Sequence, residues 1–280
     1  MRNYTELQAR IITALISALV ALPCLFILPN DFFYAFISIV FGVCAWEWGN
    51  LAGLSSFRSV LYAVSLAGLV VVSIFLKIPP LWILSAGLVW WVFALYSIIV
   101  YPSLRPFWSR PLPVLSVGII VLVPSFFAFV ALKSLQNSNA LIFSLLVFVW
   151  VADIGAFFIG KAIGGAKLCP HVSPGKTWSG FLGGALIVAV SSVLIFRLFD
   201  EIQSLGWGEH FFVLIALFLA GISVLGDLNV SMFKRARRIK DTGNLLPGHG
   251  GFLDRLDSLL SASTVFAMVV TLTHLYVYAV

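Results

Sequence analysis

Charge is what this 280-residue chain has least of: Asp, Glu, Lys and Arg make up 10% of it, against roughly 25% in a typical soluble domain. The chain is also 61% hydrophobic and 15% aromatic, with a mean hydropathy of +1.08. Together these figures exclude a soluble globular enzyme, a disordered chain and a nucleic-acid-binding module. Cysteine is scarce too. Cys24, Cys44 and Cys169 are odd in number and mostly in apolar surroundings, so they give no disulfide framework. A polytopic membrane protein remains. In such a protein a net charge of +6 first raises the question of which side of the bilayer the cations occupy.

A helix needs about 20 apolar residues to cross the hydrocarbon core. Nine runs qualify, at about 11–28, 31–50, 59–76, 80–100, 112–132, 140–163, 178–199, 211–232 and 258–279. Pro29, Pro79, Pro80, Pro111 and Pro113 fall at run edges, where helices start or stop. Pro23 and Pro124 lie inside runs and are expected to kink them, which membrane helices tolerate. Arg2 and Arg10 precede the first run as in a signal peptide. Its apolar stretch is long for that role and no small-residue cleavage site follows, so an uncleaved first helix is expected.

Sidedness follows from the cations. With the N-terminus inside, the inner segments hold Arg2, Arg10, Arg58, Arg105, Arg110, Lys161, Lys167, Lys176, Lys234, Arg235, Arg237, Arg238, Lys240 and Arg255. Only Lys77, Lys133 and Arg197 remain outside. The bias predicts a cytoplasmic N-terminus. The expected fold is therefore an all-α, polytopic integral membrane bundle of about nine transmembrane helices. Residues 1–135 supply the first five. Residues 136–280 supply the last four and the longer cytoplasmic loops, in a single membrane-embedded unit.

Asp200, Glu201, Glu209 and His210 read as a solvated outer rim. Other acids are harder to place. Glu47, Asp153, Asp227, Asp254 and Asp257 sit in or beside apolar runs. A carboxylate at mid-bilayer costs roughly 2.5–3.5 kcal/mol on insertion scales and is retained mainly where it faces a partner or a cavity. On a helix, Asp227, Ser231 and Lys234 share one face at i, i+4 and i+7. The five basic residues between 234 and 240 offer charge to phosphates. Gly248, Gly250 and Gly251 would let backbone N–H groups approach a ligand. Asp254 and Asp257, three apart at a helix start, are expected on one face, where they suit Mg²⁺ bridging substrate phosphates. A polybasic patch for anionic lipid heads would explain the cations but not the acids and glycines among them. Between the sixth and seventh runs, Gly175-Lys176-Thr177 looks like the end of a P-loop. The first glycine of that motif would fall at Pro170, and no strand is expected before it, so a phosphate-binding turn at a helix N-terminus is expected instead.

These segments carry a resemblance. Residues 231–257 run Ser231-x-apolar-Lys234-Arg235, four residues, Lys240-Asp241-x-small, two residues, apolar-Pro247-x-His249-Gly250-Gly251-apolar-x-Asp254-Arg255-apolar-Asp257. This resembles, at every specified position, the signature of the phosphatidate cytidylyltransferases (CDP-diacylglycerol synthases). Ala45-Trp46-Glu47-Trp48-Gly49, the Asp153 to Lys161 segment and Ser173-Pro174-Gly175-Lys176-Thr177-Trp178 are similar to the same family.

The resemblance implies transfer of CMP from CTP to phosphatidate with Mg²⁺, by a homodimer in the bacterial inner membrane; a two-metal site is expected for such a displacement, and the composition already excludes a nucleic-acid partner. It implies that Asp227 and Asp254 bind the metal, with Asp257 and Asp241 as further acids. Lys234, Arg235 and Lys240 are expected on the triphosphate or the lipid phosphate. Ser173, Lys176 and Thr177 are expected on phosphates from the facing loop, with Ser231, Arg255 and Asp153 also at the substrates. His249 is either a phosphate donor or a turn residue. No general base is required, because a phosphate nucleophile is already anionic. Two other readings remain at this point: a CTP-dependent enzyme acting on another lipid phosphate or a polyprenol, and an anion transporter using the intramembrane acids. Against the transporter, the Ser231–Asp257 segment does not recur.

Overall fold

The computed structural model of the chain describes residues 6–248 and 250–279. Each expected run is helical in it. Helix α1 (Glu6–Leu22) passes at Pro23 into a π-helical turn (Pro23–Ile27). Then follow α2 (Asn30–Ala52), α3 (Ser56–Phe75), α4 (Pro80–Val100), a one-turn α5 (Arg105–Trp108), α6 (Pro111–Lys133) and α7 (Ser138–Ile163). A hairpin of β1 (Lys167–Cys169) and β2 (Ser173–Thr177) leads to α8 (Trp178–Leu198) and a short α9 (Asp200–Gln203). The chain closes with α10 (Glu209–Ala236), a 3₁₀ turn (Leu253–Arg255) and α11 (Asp257–Ala279). Seven helices are long and apolar enough to cross a bilayer: α2, α3, α4, α6, α7, α8 and α10. The apolar parts of the first and last spans, Leu15–Ile27 and Asp257–Thr273, are shorter among the described residues. The bundle is an all-α polytopic membrane fold.

Two local results differ from the sequence reading. Helix α10 runs past residue 232 to Ala236, which puts Lys234 and Arg235 in its last turn, where cations are favoured by the helix dipole. The segment expected as a turn before α8 is an antiparallel hairpin. It is still no P-loop, because its Gly-Lys-Thr lies within β2 rather than between a strand and a helix.

Small and polar residues set the helix spacing. A Cβ on Gly180 or Gly184 of α8 would stand 2.6 Å from the carbonyl oxygens of Ala156 or Ala152 on α7. These glycines let the two backbones touch, as small residues do in membrane interfaces. On the other side, Trp48 of α2 and Tyr62 of α3 donate to the carbonyls of Val114 and Leu115, each at 2.8 Å. Gly118 leaves the space that both rings occupy. Ser125 of α6 donates toward Leu260 O of α11 at 2.7 Å, and α11 also packs on α4. The first five and last four spans thus share one core. At the far end, the buried side chain of Lys133 carries its ammonium to Leu25 O and Asn139 Oδ1, both at 3.2 Å.

The α7–α8 contact leaves no room for a branched side chain. Gly184→Val is expected to cost about 1–3 kcal/mol and to lower the melting midpoint in detergent. Leu186→Val, at a residue 66% exposed toward lipid, should leave it nearly unchanged. Equal melting of the two variants would refute the close-packing account.

Candidate active site

The hairpin is fixed at both ends. Trp178 N donates to Ala166 O at 3.0 Å, and Thr177 Oγ1 caps α8 by accepting from Gly180 N at 3.1 Å. Arg235 Nε of α10 donates to Val172 O at the hairpin tip, 3.1 Å away. Held this way, Lys176 on β2 faces α10, and its Nζ lies 2.6 Å from Asp227 Oδ2. The other carboxylate oxygen accepts from Ser231 Oγ at 3.0 Å. The expected Asp227/Ser231 face of α10 therefore exists. Burial by itself would disfavour the Lys176 charge. The Asp227 carboxylate beside it, with Asp153 and Asp257 nearby, more than offsets that and holds its pKa above the ordinary lysine value.

After α10 the chain wraps two carboxylates. Lys234 Nζ pairs with Asp254 Oδ1 at 2.7 Å, both side chains nearly buried. Asp254 Oδ2 accepts from Thr242 N at 2.9 Å, Thr242 Oγ1 at 3.1 Å and Gly251 N at 3.2 Å. Glu47 of α2 is fully buried. It accepts from Leu253 N at 2.7 Å, Phe252 N at 3.0 Å and Thr242 Oγ1 at 3.0 Å. A single Thr242 hydroxyl thus stands between two carboxylates and donates to one at a time. A Cβ on Gly243 would collide with Glu47, and one on Gly251 would collide with Thr242 and crowd Asp254. Gly251 was expected to open the backbone to a ligand. In the structure it opens the backbone to the protein's own acids.

These elements border a cavity of about 1310 Å³. Its polar end carries Asp153, Lys176, Asp227, Asp254, Arg255 and Asp257, with Ser173 and Thr177 beside them. Its other arm is apolar, lined by Ile16, Val20, Ile37, Phe41, Phe129 and Trp150 from four different helices. Asp153 of α7 and Ser258 of α11 both line the cavity, so α7 and α11 meet at its polar end.

Not every expected residue is there. Ser231, Lys234 and Arg235 stand behind the cavity wall, each bonded to another site residue or to the hairpin. Lys240 and Asp241 are exposed outside it, Asp241 lying against Gly250. Asp254 and Asp257 do not share one helical face. The 3₁₀ turn separates them, so that Asp254 serves the loop while Asp257, buried at the head of α11, accepts from Ser258 N at 2.8 Å. His249 lies outside the described residues. Glu47 and Thr242 were missing from the expected site. The sequence signalled Glu47 as an acid inside an apolar run and as part of a segment similar to the family, and gave no signal for Thr242.

Among the described residues no three acidic, histidine or cysteine side chains form a ready-made metal cage. The donor set still suits Mg²⁺, which needs only one or two carboxylates when substrate phosphates complete its shell. Asp227 Oδ2 and Asp254 Oδ1 each already face a cation, a lysine ammonium, and both acids line the cavity.

The model of the cytidylyltransferase family matches residues 8–273. The phosphatidate cytidylyltransferase of Pseudomonas aeruginosa is 42% identical over 262 residues, covering 93% of this chain and 96% of that protein. The enzyme of the same name from Haemophilus influenzae is 35% identical over 290 residues, covering 93% and 97%. The one from Bacillus subtilis is 43% identical over 136 residues, about half of each chain.

Replacing Glu47 tests the anchor. Gln at this position keeps one acceptor oxygen but turns an amide N–H₂ toward donors. Hydrogen bonds to a charged group contribute about 1.5–3 kcal/mol each. Glu47→Gln is therefore expected to destabilise the protein by roughly 3 kcal/mol and to speed amide exchange selectively across residues 240–256. Unchanged exchange in that segment would show that Glu47 does not hold it.

Proposed function

The chain belongs to the cytidylyltransferase family, and from that premise we propose how its cavity works. It transfers CMP from CTP to phosphatidate, giving CDP-diacylglycerol and pyrophosphate. The observation that carries the reading is the joining of two unlike surfaces in one cavity. An apolar arm accommodates acyl chains, and it opens on a polar end where Lys176 meets Asp227.

In this reading a phosphate oxygen of phosphatidate attacks the α-phosphorus of CTP. The new P–O bond forms as the bond from the α-phosphorus to the bridging oxygen breaks, and pyrophosphate departs with that electron pair. The protein's part is to position two anions and offset their charge. Lys176 and Arg255, with Lys161 and Lys167 at the rim, supply cations to the cavity. Lys176 is the residue poised to exchange partners. Its pair with Asp227 is 23% and 28% exposed, against 10% and 6% for Lys234 with Asp254. Substrate phosphates would draw Lys176 off Asp227, while Lys234 stays to neutralise Asp254. Asp227 and Asp254 would hold Mg²⁺, which supplies charge neutralisation on the phosphates. Thr177 sets the start of α8, and Arg235 keeps the hairpin over the site.

We also place the hairpin, the 237–256 loop and the N-terminus on the cytoplasmic side of a bacterial inner membrane. The bias of fourteen in seventeen cations supports this, as does the solubility of CTP in the cytoplasm. The homodimer is carried by the family resemblance.

Pyrophosphate release from CTP, measured with phosphatidate in detergent, is the test. Lys176→Ala and Asp227→Asn should each lower turnover at least roughly 100-fold, with melting close to the parent. Asp227→Asn and Asp254→Asn should also raise the Mg²⁺ concentration for half-maximal rate by at least about tenfold. Unchanged turnover in Lys176→Ala would remove it from the site, and unchanged Mg²⁺ dependence in both Asn variants would remove the metal assignment. The pH dependence has a definite sign. A lysine whose pKa is raised keeps its charge below the ordinary lysine value and loses it only as pH climbs past the raised one. From about pH 6 to about pH 9, no lysine titration should therefore appear in the apparent KM for either substrate.

A further inference from the structure

The basic run 234–240 is divided by the geometry of α10. Lys234 lies on the Asp227 face, at i+7. Ala236, nine positions after Asp227, comes out on the opposite side at about 100° per residue. There the chain forms a second, open pocket of about 460 Å³, lined by Arg105, Pro106, Ser109, Ala236, Arg237 and Arg238. None of these residues borders the large cavity. The pocket is built rather than incidental. Ser109 Oγ lies within donating distance of Arg105 O at 2.8 Å and of Ala236 O at 3.2 Å, which brings α5 against the end of α10. Trp108 packs edge-on against Phe233 with ring centroids 5.4 Å apart. The Arg237 guanidinium lies directly over Gly53, the left-handed cap of α2 (φ +90°), where any side chain would collide with it.

Arg105, Arg237 and Arg238 thus line one pocket, and among the described residues no carboxylate pairs with any of them. At the same contact Arg237 Nε is buried without a hydrogen-bond partner. An unmatched donor and unneutralised cations call for an oxyanion. The position is the helix-end level of a membrane bundle, where basic pockets receive lipid head groups.

We propose that Arg105, Arg237 and Arg238 form a second, non-catalytic phosphate site, for the phosphate of an anionic lipid head group or for a soluble phosphate. The site is separate from the nucleotide-transfer cavity and does not depend on what that cavity binds.

Full-length protein in detergent would be titrated with dioleoyl-phosphatidylglycerol, with dioleoyl-phosphatidylcholine as the neutral control, and with inorganic phosphate. Native mass spectrometry would follow the lipids, and thermal shift the phosphate. All titrations would use a Lys176→Ala background, so that the large cavity contributes little. Adding Arg105→Gln and Arg238→Gln should weaken binding roughly 30-fold, at about 1 kcal/mol per cation near the surface. Arg237 is left intact because it packs on α2. Arg238→Gln alone, at an exposed position, serves if the pair of changes disturbs melting, with an expected loss of roughly fivefold. Loss for phosphatidylglycerol alone assigns the site to a lipid head group, and loss for inorganic phosphate assigns it to a soluble ion. Binding of both probes that is unchanged by the arginine variants, or no binding above the neutral control, overturns the proposal. In the Lys176-containing protein the same arginine variants should leave turnover within about twofold, since these residues touch no part of the catalytic cavity.

Discussion

The structure turns on a buried carboxylate. Glu47 sits in an apolar helix with no exposed surface, and no cation pairs with it among the described residues. A charge in that position is held only if donors surround it. The donors come from the other end of the chain: the Thr242 hydroxyl, 195 residues away, and the amides of Phe252 and Leu253. These contacts position the 3₁₀ turn. The turn in turn positions Asp254, and Asp254 fixes the end of α10 through Lys234. The glycines at 243 and 251 follow from the same constraint, since the acids reach the backbone only where side chains are missing.

The two ion pairs of the site differ for a physical reason. Lys234 and Asp254 are withdrawn from water, and removing one partner of such a pair leaves an uncompensated buried charge, at a cost of about 3–5 kcal/mol. Asp254 also accepts from the amides of Thr242 and Gly251, so its orientation is over-determined. Lys176 and Asp227 retain contact with the cavity and have fewer obligations. A site for two polyanions needs both kinds of pair. One must stay in place when the substrates arrive, and one must change partners. The close contact of α7 with α8 places the exchanging pair, because it sets how near β2 comes to α10.

Much of this was legible in the sequence. Seven of the nine apolar runs form helices long and apolar enough to cross a bilayer, and among the described residues the first and last form shorter apolar helices, since a bilayer imposes length and composition without reference to the rest of the fold. The cost of burying charge marked Glu47, Asp153 and Asp227 as residues that need a reason. What stayed hidden was long-range or set by tertiary contacts. Nothing local identifies Thr242 as the partner of Glu47. Ser173-Pro174-Gly175-Lys176-Thr177 is poor in strand-forming residues, and it is held as a strand by Arg235 at the hairpin tip and by the Trp178–Ala166 closure. The expectation that Asp254 and Asp257 share a face assumed a continuous helix. The 3₁₀ turn, held by Glu47, interrupts it.

The division of the basic run follows from where α10 stops. A helix carried on past Ala236 would have placed Arg238 beside Lys234, four residues on, and like charges at that spacing oppose each other. Instead the helix ends, Arg238 adopts φ +58°, and the chain turns away. The cations are thereby divided: Lys234 and Arg235 brace the wall of the large cavity from behind, while Arg237 and Arg238 line the smaller pocket. Both pockets lean on the same wall. Glu47 of α2 anchors the loop of the large cavity, and Gly53, less than two turns further along α2, receives Arg237 of the smaller pocket. The last turns of α2 therefore contact both cationic sites, and any shift of that helix end must be felt in each. The helix whose sequence showed a single unexplained acid is the one that links the two.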